Sequence, residues 1–341
     1  MNVEILQTPD PACDAFVRQN PDARLCFLPA WGEMVQRRFG HESLYLVARA
    51  EGWVCGVLPL VHARSFLFGN RMVSQAFVDY GGPLAETPEA CEALFRRAVE
   101  LAEARGCESI EFRNVAPLPF DLVPRADKVG MWLPLVADPE QMWKDFDAKV
   151  RNQVRKAEKS GITCASGGLE LLDDFYGVYT VRMRQLGTPC YAKALMAGIL
   201  QTFPDSSRLF VARLGNTVVG AGITTFLGRF AEMQYASTLV EYNKLCPNNL
   251  LYWEAIRRYC QAGAKYFDFG RSTAGGGTHN FKKQWGCREV PLHYQYWVRP
   301  GATLSEPTPD NPKYARKVEM WRRLPLWVTR LLGPRISRGL P

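Results

Sequence analysis

The sequence predicts an α+β protein built from two copies of one supersecondary unit, each on a mixed central sheet. Three segments of the first copy recur in the same order in the second, the first two pairs at an offset of about 164 positions. The matched pairs are Tyr45–Arg49 with Leu209–Arg213, Trp53–Gly56 with Thr217–Gly220, and Gly106–Phe112 with Gly263–Phe269. The length of 341 residues also exceeds what one hydrophobic core usually serves. We therefore expect domains at residues 1–137 and 138–300, followed by a linker and basic amphipathic tail at 301–341.

The first copy is predicted from local patterns. Leu44–Ala50 and Trp53–His62 are β-branched and apolar and are separated by Glu51-Gly52, which indicates a hairpin. Glu89–Arg105 places apolar residues at intervals of four, four and three, which is typical of one helix face, and Gly106 suits the position after its end. The other predicted elements are strands at Val3–Leu6, Arg71–Phe77 and Ser109–Phe112 and helices at Ala12–Arg18 and Ala30–Phe39.

The second copy repeats this order with longer leading helices. Its hairpin has Gly215-Asn216 as the turn, and Pro247 and Gly263 delimit a helix that leads into a last strand. The predicted helices are Gln141–Ser160, Leu169–Leu186 and Ala192–Phe203, and the predicted strands are Arg208–Leu214, Thr217–Leu227, Phe230–Ser237 and Tyr266–Phe269.

Composition excludes several classes of protein. Hydrophobic residues make up 47% and charged residues 22%, which is typical of a globular protein, and no stretch has the roughly 18 apolar residues that a bilayer crossing needs. The amino terminus lacks the pattern of an export signal, so we expect a cytoplasmic protein. The ten cysteines contain no Cys-x-x-Cys pair and indicate reduced thiols, and the four histidines have no His-x-x-x-His spacing, so we expect no metal.

The formal charge of +8 is uneven, with six basic residues between Lys144 and Lys159 and more at the carboxyl end. Such patches favour phosphate, carboxylate or anionic membrane partners, although solvated helix faces have the same pattern. After the linker pattern at Thr303–Pro312, the tail Val318–Leu340 mixes tryptophan and leucine with arginine. It is either a helix docked on the body of the protein, which we favour, or an amphipathic helix in peripheral contact with the inner membrane.

The chemistry is predicted to lie where the last strand of the second copy ends. Gly270-Arg271-Ser272-Thr273 begins a turn, Gly275–Gly277 lets the backbone approach a ligand, and Phe281–Gly286 brings two lysines to the same place. Backbone amides and basic side chains together favour a phosphate or a developing oxyanion. The alternative is a flexible surface loop without a ligand.

These motifs, with Arg151–Gly161, resemble the FemAB-type peptidyltransferase relatives found with PEP-CTERM/exosortase and exopolysaccharide loci, whose acetyltransferase domain is of the BioF2-like type. The resemblance covers about residues 1–300. It implies tandem domains of the Gcn5-related N-acetyltransferase (GNAT) fold, in which an amine attacks an activated acyl carbon.

The resemblance also implies roles for individual residues. Lys282 is the expected catalytic residue and would stabilise charge on the acyl oxygen. No general base is predicted, although Asp268 and Glu232 lie on neighbouring strands. The expected substrate-binding residues are Arg182 and Arg184, which would contact acceptor phosphates, Tyr235, which would face the acceptor, Arg271 and Lys283, which would bind phosphate, and Asp268, Ser272, Thr278 and Phe281.

Two departures from the pattern leave the donor open. The chain lacks the coiled-coil arm of Gram-positive FemAB enzymes, which contact tRNA, and Ala212–Gly222 lacks the pyrophosphate loop of acyl-CoA enzymes. We expect an acyl- or aminoacyltransferase that N-acylates a cell-envelope or exopolysaccharide precursor, with aminoacyl-tRNA or acyl-CoA as donor and no tightly bound cofactor. The alternatives are an acyl-CoA-dependent N-acyltransferase and a non-catalytic scaffold that binds a glycan precursor.

Overall fold

The computed structural model describes residues 1–65, 69–125, 128–304 and 315–339. The chain divides into two compact units. The first contains Met1–Val129, the segment that begins at Pro291 and the chain end from Arg338, and the second contains Gly130–Val290 and the described tail up to Ser337. Most of the predicted linker, together with Lys313 and Leu340, lies outside the described residues.

The first unit is a mixed sheet with three long helices. Its strands follow the order β1-β2-β3-β4-β6-β15-β7, and β5 pairs with β3. Its elements are β1 (Asn2–Ile5), α1 (Pro11–Gln19), α2 (Pro29–Phe39), β2 (Glu42–Ala50), β3 (Trp53–Ser65), β4 (Gly69–Val73), β5 (Leu84–Ala85), α3 (Pro88–Ala104), β6 (Ser109–Asn114), β7 (Val123–Arg125) and β15 (His293–Val298).

The helix α3 forms for local reasons and then buries its apolar face. The Thr87 side chain accepts a hydrogen bond from the Ala90 amide, which caps the first turn. Leu94 and Leu101 then pack into a core with Leu58 and other apolar residues of β2 and β3. This face is the one that the sequence intervals predict.

The second unit has its own mixed sheet, in the order β14-β8-β13-β12-β11-β10-β9. Its elements are β8 (Lys128–Pro134), α4 (Pro139–Asp145), α5 (Ala148–Lys159), β9 (Ile162–Gly167), α6 (Leu172–Leu186), α7 (Lys193–Thr202), β10 (Ser207–Leu214), β11 (Thr217–Leu227), β12 (Phe230–Thr238), α8 (Pro247–Gln261), β13 (Tyr266–Thr273), α9 (Gly277–Lys283), β14 (Arg288–Pro291), α10 (Ala315–Arg323) and α11 (Leu326–Ser337).

The two units repeat each other in backbone detail. The β2–β3 hairpin has a register shift between Ala48 and Arg49, and the β10–β11 hairpin has one between Ala212 and Arg213, at the same offset of 164. In each unit one strand of the meander also pairs in parallel with the strand after the next helix, β4 with β6 and β12 with β13. The predicted duplication is therefore present in the fold.

One strand of each sheet comes from an unexpected part of the chain. The β15 strand follows the second unit in sequence, yet it lies between β6 and β7 of the first sheet. The β8 strand begins at Lys128, ahead of the predicted boundary at 137, and lies between β14 and β13 of the second sheet. The repeat marks the core elements of each copy and carries no signal for β8 and β15, so the predicted ranges 1–137 and 138–300 differ from the two units.

The predicted helix Gln141–Ser160 is interrupted. Phe146 has extended backbone angles, and the Asp147 side chain accepts from the Lys149 amide to cap α5. The Phe146 ring packs edge-on against Trp253 and Trp285, at centroid distances of 5.8 and 5.1 Å. Burial of this ring explains the break, because one continuous helix would direct the side chain elsewhere.

The carboxyl-terminal tail forms two helices that pack on α6, as the docked interpretation predicts. The Arg330 guanidinium donates to the Thr180 hydroxyl at 2.9 Å, and the Ser337 hydroxyl donates to the Cys190 carbonyl at 3.0 Å. Gly333 permits this approach, since a Cβ there would lie 2.8 Å from the Cys190 sulfur. Within the described ranges, no helix has the length and apolar character needed to cross a membrane.

All ten cysteines lie in described parts of the chain, and none of them forms a disulfide. Burial raises the pKa of Cys107 and Cys260 to about 11, so these thiols are neutral near pH 7. A neutral buried thiol is a poor nucleophile. These two cysteines therefore act as small apolar side chains.

Candidate functional site

The candidate site of the second unit begins where two parallel strands separate. The ladder between β12 and β13 pairs Phe230 with Tyr266 and ends with Glu232 opposite Asp268. Beyond this pair β12 continues to Thr238 and β13 to Thr273. The strands therefore diverge over their carboxyl-terminal halves, and ligands bind preferentially at such ends of parallel strands.

Four polar side chains of these strands share one face of the sheet, two of them because of a β-bulge in β12. Gln234 is the extra residue, because Tyr235 pairs with Ile223 while Met233 pairs with Thr224. Glu232 lies opposite Thr225, and Thr225 is two residues from Ile223, the partner of Tyr235. Glu232 and Tyr235 therefore share a face. By the same alternation, Ser237 lies on this face of β12, and Asp268, opposite Glu232, lies on the matching face of β13.

Two hydroxyl groups in the carboxyl-terminal halves of these strands are buried without a hydrogen-bond partner among the described residues. Ser237 and Ser272 are each 4% exposed, and neither hydroxyl oxygen has a partner. Unsatisfied buried hydroxyls are uncommon in folded proteins. Hydroxyl groups in this position can donate to a carbonyl or phosphate oxygen of a ligand, or accept from a ligand amide.

Two buried carboxyl groups are neighbours in the same ladder. Asp268 is fully buried and accepts a hydrogen bond from the Gly270 amide at 2.7 Å. Glu232 is 5% exposed and accepts from the Thr225 hydroxyl at 3.3 Å. A buried carboxyl group can move a proton when its environment places its pKa near the working pH. These are the two acids that the sequence places on neighbouring strands, and the structure brings them together.

Lys282 is buried at the end of β13. It is 8% exposed, and its ammonium group donates to the carbonyls of Gly270 and Arg271, each at 2.9 Å. Desolvation raises the pKa of the partly buried Cys287 thiol, Asp268 raises it further and Lys282 lowers it, so both charges lie close to that thiol. The ammonium group thus fixes the turn after β13 and adds a positive charge beside the carboxyl end of the strand.

The predicted glycine-rich loop is partly helical. Gly277–Lys283 forms α9, and Phe281 packs against Tyr252 of α8 and against Trp285, at centroid distances of 5.4 and 6.3 Å. Tyr252 also stacks on Phe269 of β13 at 4.8 Å. This aromatic cluster holds α9 against the sheet, so the position of Lys282 depends on packing by its neighbour.

The other predicted residues of this segment lie at the surface. Arg271 and Thr278 are exposed, and Lys283 forms an ion pair with Glu289 at 3.3 Å while remaining 64% exposed. That ion pair is the main cause of the lowered pKa of Glu289. Arg271 and Lys283 are therefore in contact with solvent, whereas Lys282 is enclosed.

Tyr235 lies in a group of tyrosines that the sequence analysis missed. Its ring meets Tyr179 of α6 at 6.1 Å and Tyr191 at 5.6 Å, both edge-on. Burial holds the pKa of Tyr179 well above its usual value, so this phenol is neutral. The spacing of the tyrosines in the sequence does not predict this group, because the contacts of Tyr235 depend on the bulge at Gln234.

The two predicted acceptor-binding arginines are both on α6. Arg182 donates to the Gln185 side chain at 3.4 Å, and burial lowers the pKa of its guanidinium group. Arg184 donates to the Leu324 carbonyl between the tail helices, at 3.4 Å. Arg184 therefore contributes to tail docking, which sequence reasoning did not predict.

Comparison with known proteins supports an acyl-transfer fold. Residues 144–283, which contain most of this site, match the family model described as "Acetyltransferase (GNAT) domain". A search of curated proteins gave no match.

Solved structures resemble the chain over nearly its whole length. A crystal structure of FemX is 15% identical and covers 92% of this chain and 99% of its own, with a TM-score of 0.68. The C-terminal domain of a putative lysylphosphatidylglycerol synthetase from Agrobacterium fabrum is 12% identical, covers 85% and 92%, and has a TM-score of 0.58. A tandem GNAT protein from the clavulanic acid biosynthesis pathway is 14% identical, covers 89% and 99%, and has a TM-score of 0.51.

The predicted α+β fold of tandem GNAT type is confirmed. The prediction of a transferase of acyl or aminoacyl groups is confirmed at the level of the domain in the second half. The chain thus has a tandem GNAT fold and carries an acetyltransferase (GNAT) domain at residues 144–283.

Proposed function

We propose that this protein is an acyl- or aminoacyltransferase of the FemAB type that N-acylates an amino group on a cell-envelope or exopolysaccharide precursor. The observation that carries the proposal is the diverging β12–β13 pair, with buried carboxyl and hydroxyl groups on one face and the Lys282 ammonium group at its end. The likeness to structures named FemX and lysylphosphatidylglycerol synthetase supports the aminoacyl alternative for the donor.

Each group of the site has a role in this reaction. The separated strands offer backbone N–H and C=O groups to an extended donor, and Ser237 and Ser272 offer hydroxyl groups beside them. The acceptor amine attacks the acyl carbon, and the electron pair of the broken acyl bond leaves with the carrier. The amine proton passes to Glu232, to Asp268 or to the leaving group.

Lys282 fits a supporting electrostatic role better than direct contact with the acyl oxygen. Two of its N–H groups already donate to carbonyls, so its charge acts on a developing oxyanion through the turn that it fixes. We assign the exposed Arg271 and Lys283 to donor or acceptor phosphate, and the half-buried Arg182 and Tyr235 to contact with the acceptor.

Two other functions use the same fold. An acyl-CoA-dependent N-acyltransferase is favoured by the GNAT family match, while a scaffold that binds a glycan precursor needs no turnover. A cytoplasmic location agrees with either donor, tRNA or acyl-CoA. Contact of the tail with the inner membrane is a separate proposal.

The decisive experiment is a donor screen with acetyl-CoA, longer acyl-CoAs and charged tRNA, with amine acceptors of the nucleotide-linked and lipid-linked precursor classes. The proposed function requires transfer from one of these donors. Lys282→Met is compared with Lys283→Met at a temperature at which both remain folded, because the two lysines are adjacent but only the first is enclosed.

We expect Lys282→Met to lower kcat at least tenfold while donor binding is largely kept, and Lys283→Met to change mainly KM for a phosphate-bearing substrate. Binding of a glycan precursor without transfer from any donor would favour the scaffold. Equal kcat values in the two variants would mean that Lys282 takes no part in the reaction.

A further inference from the structure

The helix α11 has two unlike faces. Thr329, Gly333 and Ser337 are spaced four residues apart and are buried on the side that contacts Cys190. Trp327 and Leu331 are also four residues apart. Trp327 is two residues before Thr329, so this second row lies about 200° around the helix from the first. They are 69% and 51% exposed. The helix therefore docks through small residues and directs its large apolar side chains outward.

This distribution is the reverse of that in an ordinary docked surface helix, which buries large apolar residues and exposes polar ones. Leu332 is a further exposed apolar side chain of α11, and Met320 is exposed on α10. The docked position of α11 explains its small residues but leaves its tryptophan and leucines without a role in the fold. Exposed apolar groups of this kind mark an interaction surface.

The tail helices that carry this face are rich in basic residues. Residues 315–339 contain seven basic side chains and one acidic one, a net charge of +6 within a chain of +8. The acidic residue, Glu319, is paired with Arg322 and Arg323 at 3.8 and 3.0 Å. Arg335 is exposed and lies four residues after Leu331, on the same outward face. The surface thus combines aromatic and aliphatic groups with excess positive charge.

We propose that the outward face of α11, formed by Trp327, Leu331, Leu332 and Arg335, binds the surface of an anionic lipid bilayer. Tryptophan and leucine insert at the boundary between head groups and acyl chains, while arginines pair with lipid phosphates. The excess positive charge selects anionic lipid and argues against a second copy of this chain, whose same face would repel it. Such docking would hold the second unit at the membrane without a spanning segment.

The test measures cosedimentation of the full chain with vesicles of phosphatidylcholine alone and with added phosphatidylglycerol. We expect binding to the anionic vesicles only, which weakens as salt is raised. The double variant Trp327→Ala/Leu331→Ala should bind on the order of tenfold more weakly. The matched control is Trp53→Ala, because Trp53 is 79% exposed on a hairpin of the first unit and should not matter.

Absence of binding to anionic vesicles, or equal binding by the double variant and the wild type, overturns the proposal. Sedimentation velocity in the absence of lipid provides a second measurement. Self-association that the double variant abolishes would assign the face to a second copy instead. The test needs no turnover, so its outcome is independent of the proposed reaction.

Discussion

Replacement of Lys282 by Met keeps the length and apolar stem of the side chain but removes its charge and its donors. The carbonyls of Gly270 and Arg271 then lose two charge-assisted hydrogen bonds of 2.9 Å. Each such bond contributes about 1.5–3 kcal/mol, and because both acceptor residues are partly exposed we take the lower value. We expect a loss of about 3 kcal/mol in the free energy of unfolding.

The assay is urea unfolding followed by circular dichroism, with Lys283→Met as the matched control. Lys283 is 64% exposed and has one surface ion pair, so its variant should lose less than about 1 kcal/mol. The comparison is valid if the dependence of stability on urea has the same slope in both variants. Equal unfolding midpoints for the two would refute the conclusion that Lys282 fixes the turn after β13.

Three further predictions follow from single contacts. The Arg105 guanidinium beside Glu42 lowers the pKa of that carboxyl from 4.5 to about 2. Glu42→Gln should therefore remove a stability contribution that is complete above pH 4.5 and is lost as the pH falls toward 2. Thermal unfolding across that pH range measures this contribution. Gly187→Ala places a Cβ 2.4 Å from a Val318 methyl at a φ of 76°, so trypsin should cleave the tail faster than in the wild type. Ser272→Ala removes an unpartnered hydroxyl, so the urea midpoint should not fall while donor affinity weakens severalfold; a clear fall would mean that this hydroxyl is satisfied in the folded protein.

The hairpins and amphipathic helices could be predicted from the sequence because their apolar periods are local. The helix α3 and the β10–β11 hairpin begin and end within a few residues of the predicted positions. The site could be predicted only in part. Its acids and lysines stand out by type, but the face that Tyr235 and Ser237 share with Glu232 depends on Gln234, whose bulge has no signature in the local pattern.

At α9, tertiary packing decides the structure against the preference of the local sequence. Three consecutive glycines favour a loop, yet Gly277 begins a helix because Phe281 and Trp285 pack against Tyr252. No feature of the segment itself predicts that partner, which lies on α8. The burial of Lys282 follows from the same contacts and could not be read from a run of two lysines.

The positions of β8 and β15 make the halves of the chain interdependent. A fragment spanning 138–300 would start after β8 and leave one side of β13 unpaired, while it would carry β15 without its partners β6 and β7. Bare strand edges of this kind promote aggregation. Expressing the two halves as separate fragments would thus yield two sheets that each lack a strand. The roles of the duplicated halves therefore have to be studied by point substitution within the intact polypeptide.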